Sequence, residues 1–154
     1  MDRAISPVVG VALLIACVVV LGAVVGTMAL AYEPPDPASA VLIDATVDAE
    51  TNEITLTLDR GGPLDVRDLT VVIQIDGRPL EKQPSVPAHS QTGFLGFPTG
   101  PFNAETDPRW TRGQSASLTV AKTTNGPLPE PGSTVRVRLF EDGLPIATVE
   151  TIAR

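Results

Sequence analysis

The chain has 154 residues and a formal net charge of −7, with two Lys and nine Arg against 18 acidic residues. That balance excludes a nucleic-acid binder, because gripping phosphates takes clustered Lys and Arg that this chain lacks. A lone cysteine, Cys17, excludes any disulfide within the chain, so its domain must be held by core packing.

Met1 to Ala4 is too short for an element of its own. Arg3 and the amino terminus outweigh Asp2, and cationic flanks stay on the cytoplasmic side of a membrane. From Ile5 to Tyr32 no charged residue occurs. A bilayer core of ~30 Å takes about 20 apolar residues, and Pro7 to Tyr32 would make a helix about 39 Å long. The run is therefore expected to be a long transmembrane helix, with a cytoplasmic N-terminus and the rest of the chain outside the cell. Ser6 and Pro7 form a good helix start, since Pro lacks only an N–H that the first turn leaves unused and Ser can cap its neighbours. The helix is expected from Pro7, with Ala4, Ile5 and Ser6 extended and open to a protease. Gly22 and Gly26 lie one turn apart, which makes a face where a second helix backbone can approach closely. Ordinary glycines of a membrane helix would look the same.

Four readings fit this run. A secretory signal would need a shorter apolar core, although Ala29-Leu30-Ala31 offers a small-x-small cut site. Leu14-Ile15-Ala16-Cys17 matches a lipobox, yet no polar tether follows Cys17. A third reading is the uncleaved anchor of a single-pass membrane protein with an exterior β-sandwich used for binding. The fourth rests on Arg3-Ala4-Ile5-Ser6-Pro7-Val8-Val9-Gly10-Val11 followed by the apolar helix. That stretch closely resembles the N-terminus of archaeal type IV pilins. The resemblance implies a class III signal peptide in which a prepilin peptidase recognises Arg3 and Ala4 and cuts before Ile5. It also implies a protein of the cell membrane and surface, whose helix enters a filament core with other pilin subunits to build an adhesive pilus. Bacterial type IV pilins carry a glutamate fifth in the mature chain; Val9 stands there, so that charge-pairing device is absent.

Glu33-Pro34-Pro35-Asp36-Pro37 cannot continue a helix and favours an extended spacer. From Ala40 the hydrophobic period becomes two. Val41–Val47 and Glu53–Asp59 alternate apolar and polar residues around a turn at Ala49–Asn52, which predicts a hairpin. Asp68–Ile75 predicts a third strand, ended by the turn pair Asp76-Gly77. Ser90–Phe97 and Ser115–Ala121 predict two more. Thr134–Phe140 and Pro145–Ile152 form a last hairpin around Asp142-Gly143. The expected fold class is α+β, a long N-terminal hydrophobic helix followed by a small antiparallel β-sandwich of immunoglobulin-like character. Its parts are a leader at 1–4, the helix at 5–32, a Pro-rich linker at 33–39 and the sandwich at 40–154. The order of strands and loops also resembles, more loosely, the domain that follows the helix in haloarchaeal pilin-like proteins.

No catalytic site, metal site or cofactor is expected. His89 is the sole histidine, and it has no nucleophile motif or metal-ligand spacing beside it. Asp44, Asp48, Asp59, Asp65 and Asp68 match no EF-hand loop. Gly61-Gly62 opens no helix and so is a turn rather than a phosphate loop. Phe94, Phe97, Phe102 and Trp110 gather in one Gly/Pro-rich stretch. They read either as an aromatic surface for a partner or as a loop that tucks its rings over one end of the sandwich. The expected partners are the membrane, the prepilin peptidase and other copies of the subunit.

Overall fold

The computed structural model describes residues 5–30 and 41–154, and within the helix the side chains of residues 7–23. The chain divides into two compact units, Met1–Pro37 and Ala38–Arg154. In the first, α1 spans Ile5–Leu30. It therefore starts at Ile5 rather than at Pro7, with Ser6 and Pro7 inside a first turn whose N–H groups have no intrahelical partners in any case.

The expectation of a long transmembrane helix is corrected. Among the described residues no helix is long and apolar enough to cross a membrane. The helical part of the expected fold class, and with it the single-pass location at the cell membrane, is set aside on that finding.

The second unit is built from strands β1 (Leu42–Asp48), β2 (Glu53–Arg60), β3 (Leu64–Asp65), β4 (Leu69–Ile75), β5 (Arg78–Pro79), β6 (Phe94–Leu95), β7 (Arg109–Trp110), β8 (Ser115–Val120), β9 (Thr134–Glu141) and β10 (Leu144–Ile152). One antiparallel sheet has the order β1-β2-β8-β6 and the other β10-β9-β4-β5, while β3 and β7 pair separately. This is the order in which an immunoglobulin-type sandwich arranges its A, B, E and D strands against G, F and C. The buried Trp and disulfide of antibody domains have no counterpart on the strands corresponding to B, C and F.

The alternation read from the sequence decides which side chains meet. Ile54, Leu56 and Leu58 of β2 face inward with Ala116, Leu118 and Val120 of β8, against Val71, Ile73 and Ile75 of β4 and Val135, Val137 and Leu139 of β9. A fully buried Leu, Ile or Val contributes about 1.5–3 kcal/mol relative to exposure, so this layer is the main stabilising term in a unit with no disulfide. Turn chemistry sets the register. Asn52, Asp76 and Asp142 all take positive φ, the last two followed by the positive-φ residues Gly77 and Gly143, as two-residue hairpin turns require. Asp48 Oδ1 accepts from the N–H groups of Glu50 and Thr51 at 2.8 and 3.0 Å, closing the first hairpin. The Thr51 and Glu50 N–H groups hold the Asp48 carboxyl below its ordinary pKa. Asp76 takes the N–H of Thr134 at 2.8 Å and the hydroxyl of Ser133 at 2.9 Å. That joins the β4–β5 turn to the start of β9 and likewise lowers its pKa.

The sheet edges are short or interrupted. β5 and β6 have two residues each. β10 carries Pro145 and a register shift between Pro145 and Ala147. The end of β1 is engaged by Arg154, whose N–H donates to the Val47 carbonyl at 3.1 Å and whose carbonyl accepts from Ala49 at 2.8 Å.

Candidate interaction surfaces

Three surfaces collect the residues singled out by the sequence. The first is α1. Arg3 and Ala4 lie outside the described residues, and the side chains of Ile5, Ser6 and Gly26 are likewise not described. Ile5 is nonetheless helical. Pro7 and every residue after it to Ala23 are exposed, with Val, Leu and Ile side chains from Val8 to Leu21 between 51% and 68% accessible. At both Gly10 and Gly22 an added Cβ would meet nothing within 4 Å. The close-approach face expected at Gly22 and Gly26 is thus open at Gly22. No side of the described stretch is polar, because its sequence has no charged residue to supply one.

The second surface is the aromatic stretch, whose four members separate. Phe102 and Trp110 are 0% exposed and meet edge to face, with centroids 5.1 Å apart and planes at 74°. Such pairs add about 0.5–1.5 kcal/mol beyond their area. The Trp110 indole N–H donates to the Gln114 carbonyl at 2.8 Å. Phe94 is also buried, whereas Phe97 is 64% exposed beside the exposed Leu95. Gly93 and Gly96 take positive φ on either side of Phe94–Leu95. These two left-handed positions cut the expected strand 90–97 down to the two residues of β6. The stretch therefore acts chiefly as a cap over the core, with Phe97 alone pointing away. Phe97→Ser is expected to leave the unfolding free energy within ~0.5 kcal/mol, by urea titration; a loss of ~2 kcal/mol or more would show that Phe97 belongs to the core.

Sequence reasoning missed two polar side chains that hold this cap. Asn125 is buried, and its amide joins three segments. Oδ1 accepts from Lys82 N at 2.9 Å and Gly126 N at 3.0 Å, while Nδ2 donates to the carbonyls of Lys82 and Gly93 at 2.9 and 3.1 Å. Gln83 Oε1 accepts from Ile73 N at 2.7 Å and its Nε2 donates to the Ile73 carbonyl at 3.0 Å, so one side chain replaces a strand partner beside β4. A lone Asn or Gln in a loop carries no pattern that announces such bonding.

The third surface is the pair of outer sheet faces. On β1, β2 and β8 the outward residues include Asp44, Thr46, Asp48, Glu53, Thr55, Thr57, Ser115 and Thr119, and the Thr57 and Ser115 hydroxyls share a hydrogen bond of 2.8 Å. Asp48 stands directly opposite Glu53. On the other sheet Arg136 binds Glu150 at 2.7 Å. Arg138 lies over the Phe140 ring at 5.8 Å, and Val72 stands opposite Arg138. The two faces therefore differ in sign. Elsewhere, Asp65 accepts from Arg67 Nε at 2.9 Å, and that guanidinium holds its carboxyl at about 2.

His89 Nδ1 is 3.6 Å from Glu105, with both side chains largely exposed. Among the described residues no group of three His, Cys, Asp or Glu side chains is placed to hold a metal ion. The chain is, by its geometry, an antiparallel β-sandwich unit joined in sequence to a separate apolar helix. Comparison with protein-family models finds no match, and comparison with curated proteins finds none either.

Proposed function

We propose that the chain is a pilin-like subunit, cut between Ala4 and Ile5 by a prepilin peptidase, whose α1 packs against the α1 of neighbouring copies in a filament. The observation that carries this reading is the surface of α1, exposed and apolar from Val8 to Leu21. A helix that is apolar on all sides needs apolar cover on all sides. The same helix from neighbouring copies supplies it, with Gly10 and Gly22 as points where backbones approach closely. Arg3 to Val11, with their resemblance to archaeal type IV pilins, support the cut site. The sandwich has its own core, so it can keep its shape whichever neighbours α1 meets.

Intact mass and N-terminal sequencing of the protein purified from its native host test the proposal. The expected chain begins at Ile5 and sediments as filaments visible by electron microscopy. A chain that begins at Met1 would overturn the proposal.

A further inference from the structure

We propose that the outer face of the β4–β9–β10 sheet, centred on Arg138 and Phe140, docks on the acidic, hydroxyl-rich outer face of β1–β2–β8 of a second copy of this chain. The inference deepens the filament reading and rests on it for the identity of the partner.

Both faces carry unmet electrostatic demand. Asp48 and Glu53 are directly opposite one another on β1 and β2, and like charges in that relation destabilise a strand pair. Neither these two nor Asp44 belongs to an ion pair among the described residues. Arg154 reaches the same recess, with Thr46, Thr55 and Glu50, but it lies beyond ion-pair distance of these carboxylates. On the opposite sheet Glu150 is taken up by Arg136, and Arg138 has no carboxylate partner among the described residues. Its Nε–H is buried and has no hydrogen-bond partner among the described residues, which leaves its terminal Nη groups to face a neighbour. A guanidinium that rests on an aromatic ring keeps its Nη end for a carboxylate, which it can bind through two parallel bonds. Val72, Phe140 and Pro145 supply apolar surface around it, and threonine methyls supply it on the other side.

The two patches are different surfaces of one chain, which makes the contact heterologous. Such contacts generate open filaments whenever the rotation between copies does not close a ring. Three strands of about seven residues cover only ~300 Å² in projection, well below the ~800 Å² per partner of a stable interface. The contact is therefore weak alone and acts where copies are already held side by side, by raising effective concentration.

Carbodiimide coupling of full-length Arg138→Lys, prepared as an equal mixture of ¹⁴N- and ¹⁵N-labelled chains in the assembled form, tests it. The reagent joins an amine to a touching carboxylate as an amide with loss of water. The expected product is a mixed-isotope peptide pair joining position 138 to the segment that holds Asp44, Asp48 and Glu53. Absence of that pair, or its presence only as single-isotope species, overturns the proposal. A charge exchange gives a second arm. Arg138→Glu is expected to lower the fraction assembled about tenfold, and adding Glu53→Arg to the same chain should restore it; no restoration also overturns the docking. The two proposals fail separately. A chain that begins at Met1 overturns the filament reading, whereas missing coupling in chains that begin at Ile5 and assemble overturns the docking alone.

Discussion

Trp110→Ala is expected to cost about 3–5 kcal/mol of folding free energy, the usual range for deleting a large buried aromatic. Trp110 is fully buried against Phe102, and its position on β7 fixes the small β3–β7 pair, with Leu64 directly opposite. The loss comes from the cavity rather than from an orphaned acceptor. The Gln114 carbonyl that binds the indole also accepts from Leu58 N at 3.1 Å and so stays paired. For a domain with a total stability of about 5–15 kcal/mol, that is a large fraction. Circular dichroism during urea unfolding is the suitable measurement, because Trp110 is the only tryptophan and its removal abolishes that fluorescence. A change below ~1 kcal/mol would mean that the aromatic cap contributes little.

Gly100→Ala is expected to be nearly as damaging, for a different reason. Gly100 has φ +58, and an added Cβ would sit 2.1 Å from the Ser115 carbonyl oxygen. The atom in the way is backbone of β8, which is fixed by its pairing with β2. The left-handed conformation adds roughly 1–2 kcal/mol for a residue with a Cβ, and forcing the strand aside adds about 1–3 kcal/mol. Gly96→Ala separates the two contributions, since Gly96 has φ +67 but open space around it. The expected order of thermal midpoints is wild type, then Gly96→Ala, then Gly100→Ala. Equal midpoints for the two variants would show that β8 yields without cost.

The strands that could be read in advance are those whose two faces meet different surroundings. β1, β2, β4 and β9 alternate because one side meets the core and the other meets water, and that contrast is written directly in residue type. β3, β5 and β7 are too short to show a period. The apolar run was legible as a helix, although the capping chemistry of Ser6 and Pro7 pointed to a start at Pro7 and the helix already includes Ile5 and Ser6. Of the aromatic stretch, the sequence could say that the rings gather but not which of them turns inward. Phe97 and Phe102 have similar Gly/Pro neighbours, and the difference lies in the left-handed Gly96 and in the approach of Gly100 to β8. The opposition of an acidic face and an Arg138 face was equally hidden. It depends on which strands are neighbours, and β2 finds β8 only across the intervening half of the domain.

Subunits held at high density risk fusing strand to strand, since a free edge presents a row of unpaired N–H and C=O groups. This sandwich offers little to such fusion. Pro145 has no N–H to give, β5 and β6 are two residues long, and Arg154 occupies the end of β1. Crowded copies are then left to touch through side chains rather than through shared backbone ladders. Contacts of that kind can be released one neighbour at a time, so an assembly of these chains could be taken apart and its subunits reused without unfolding any of them.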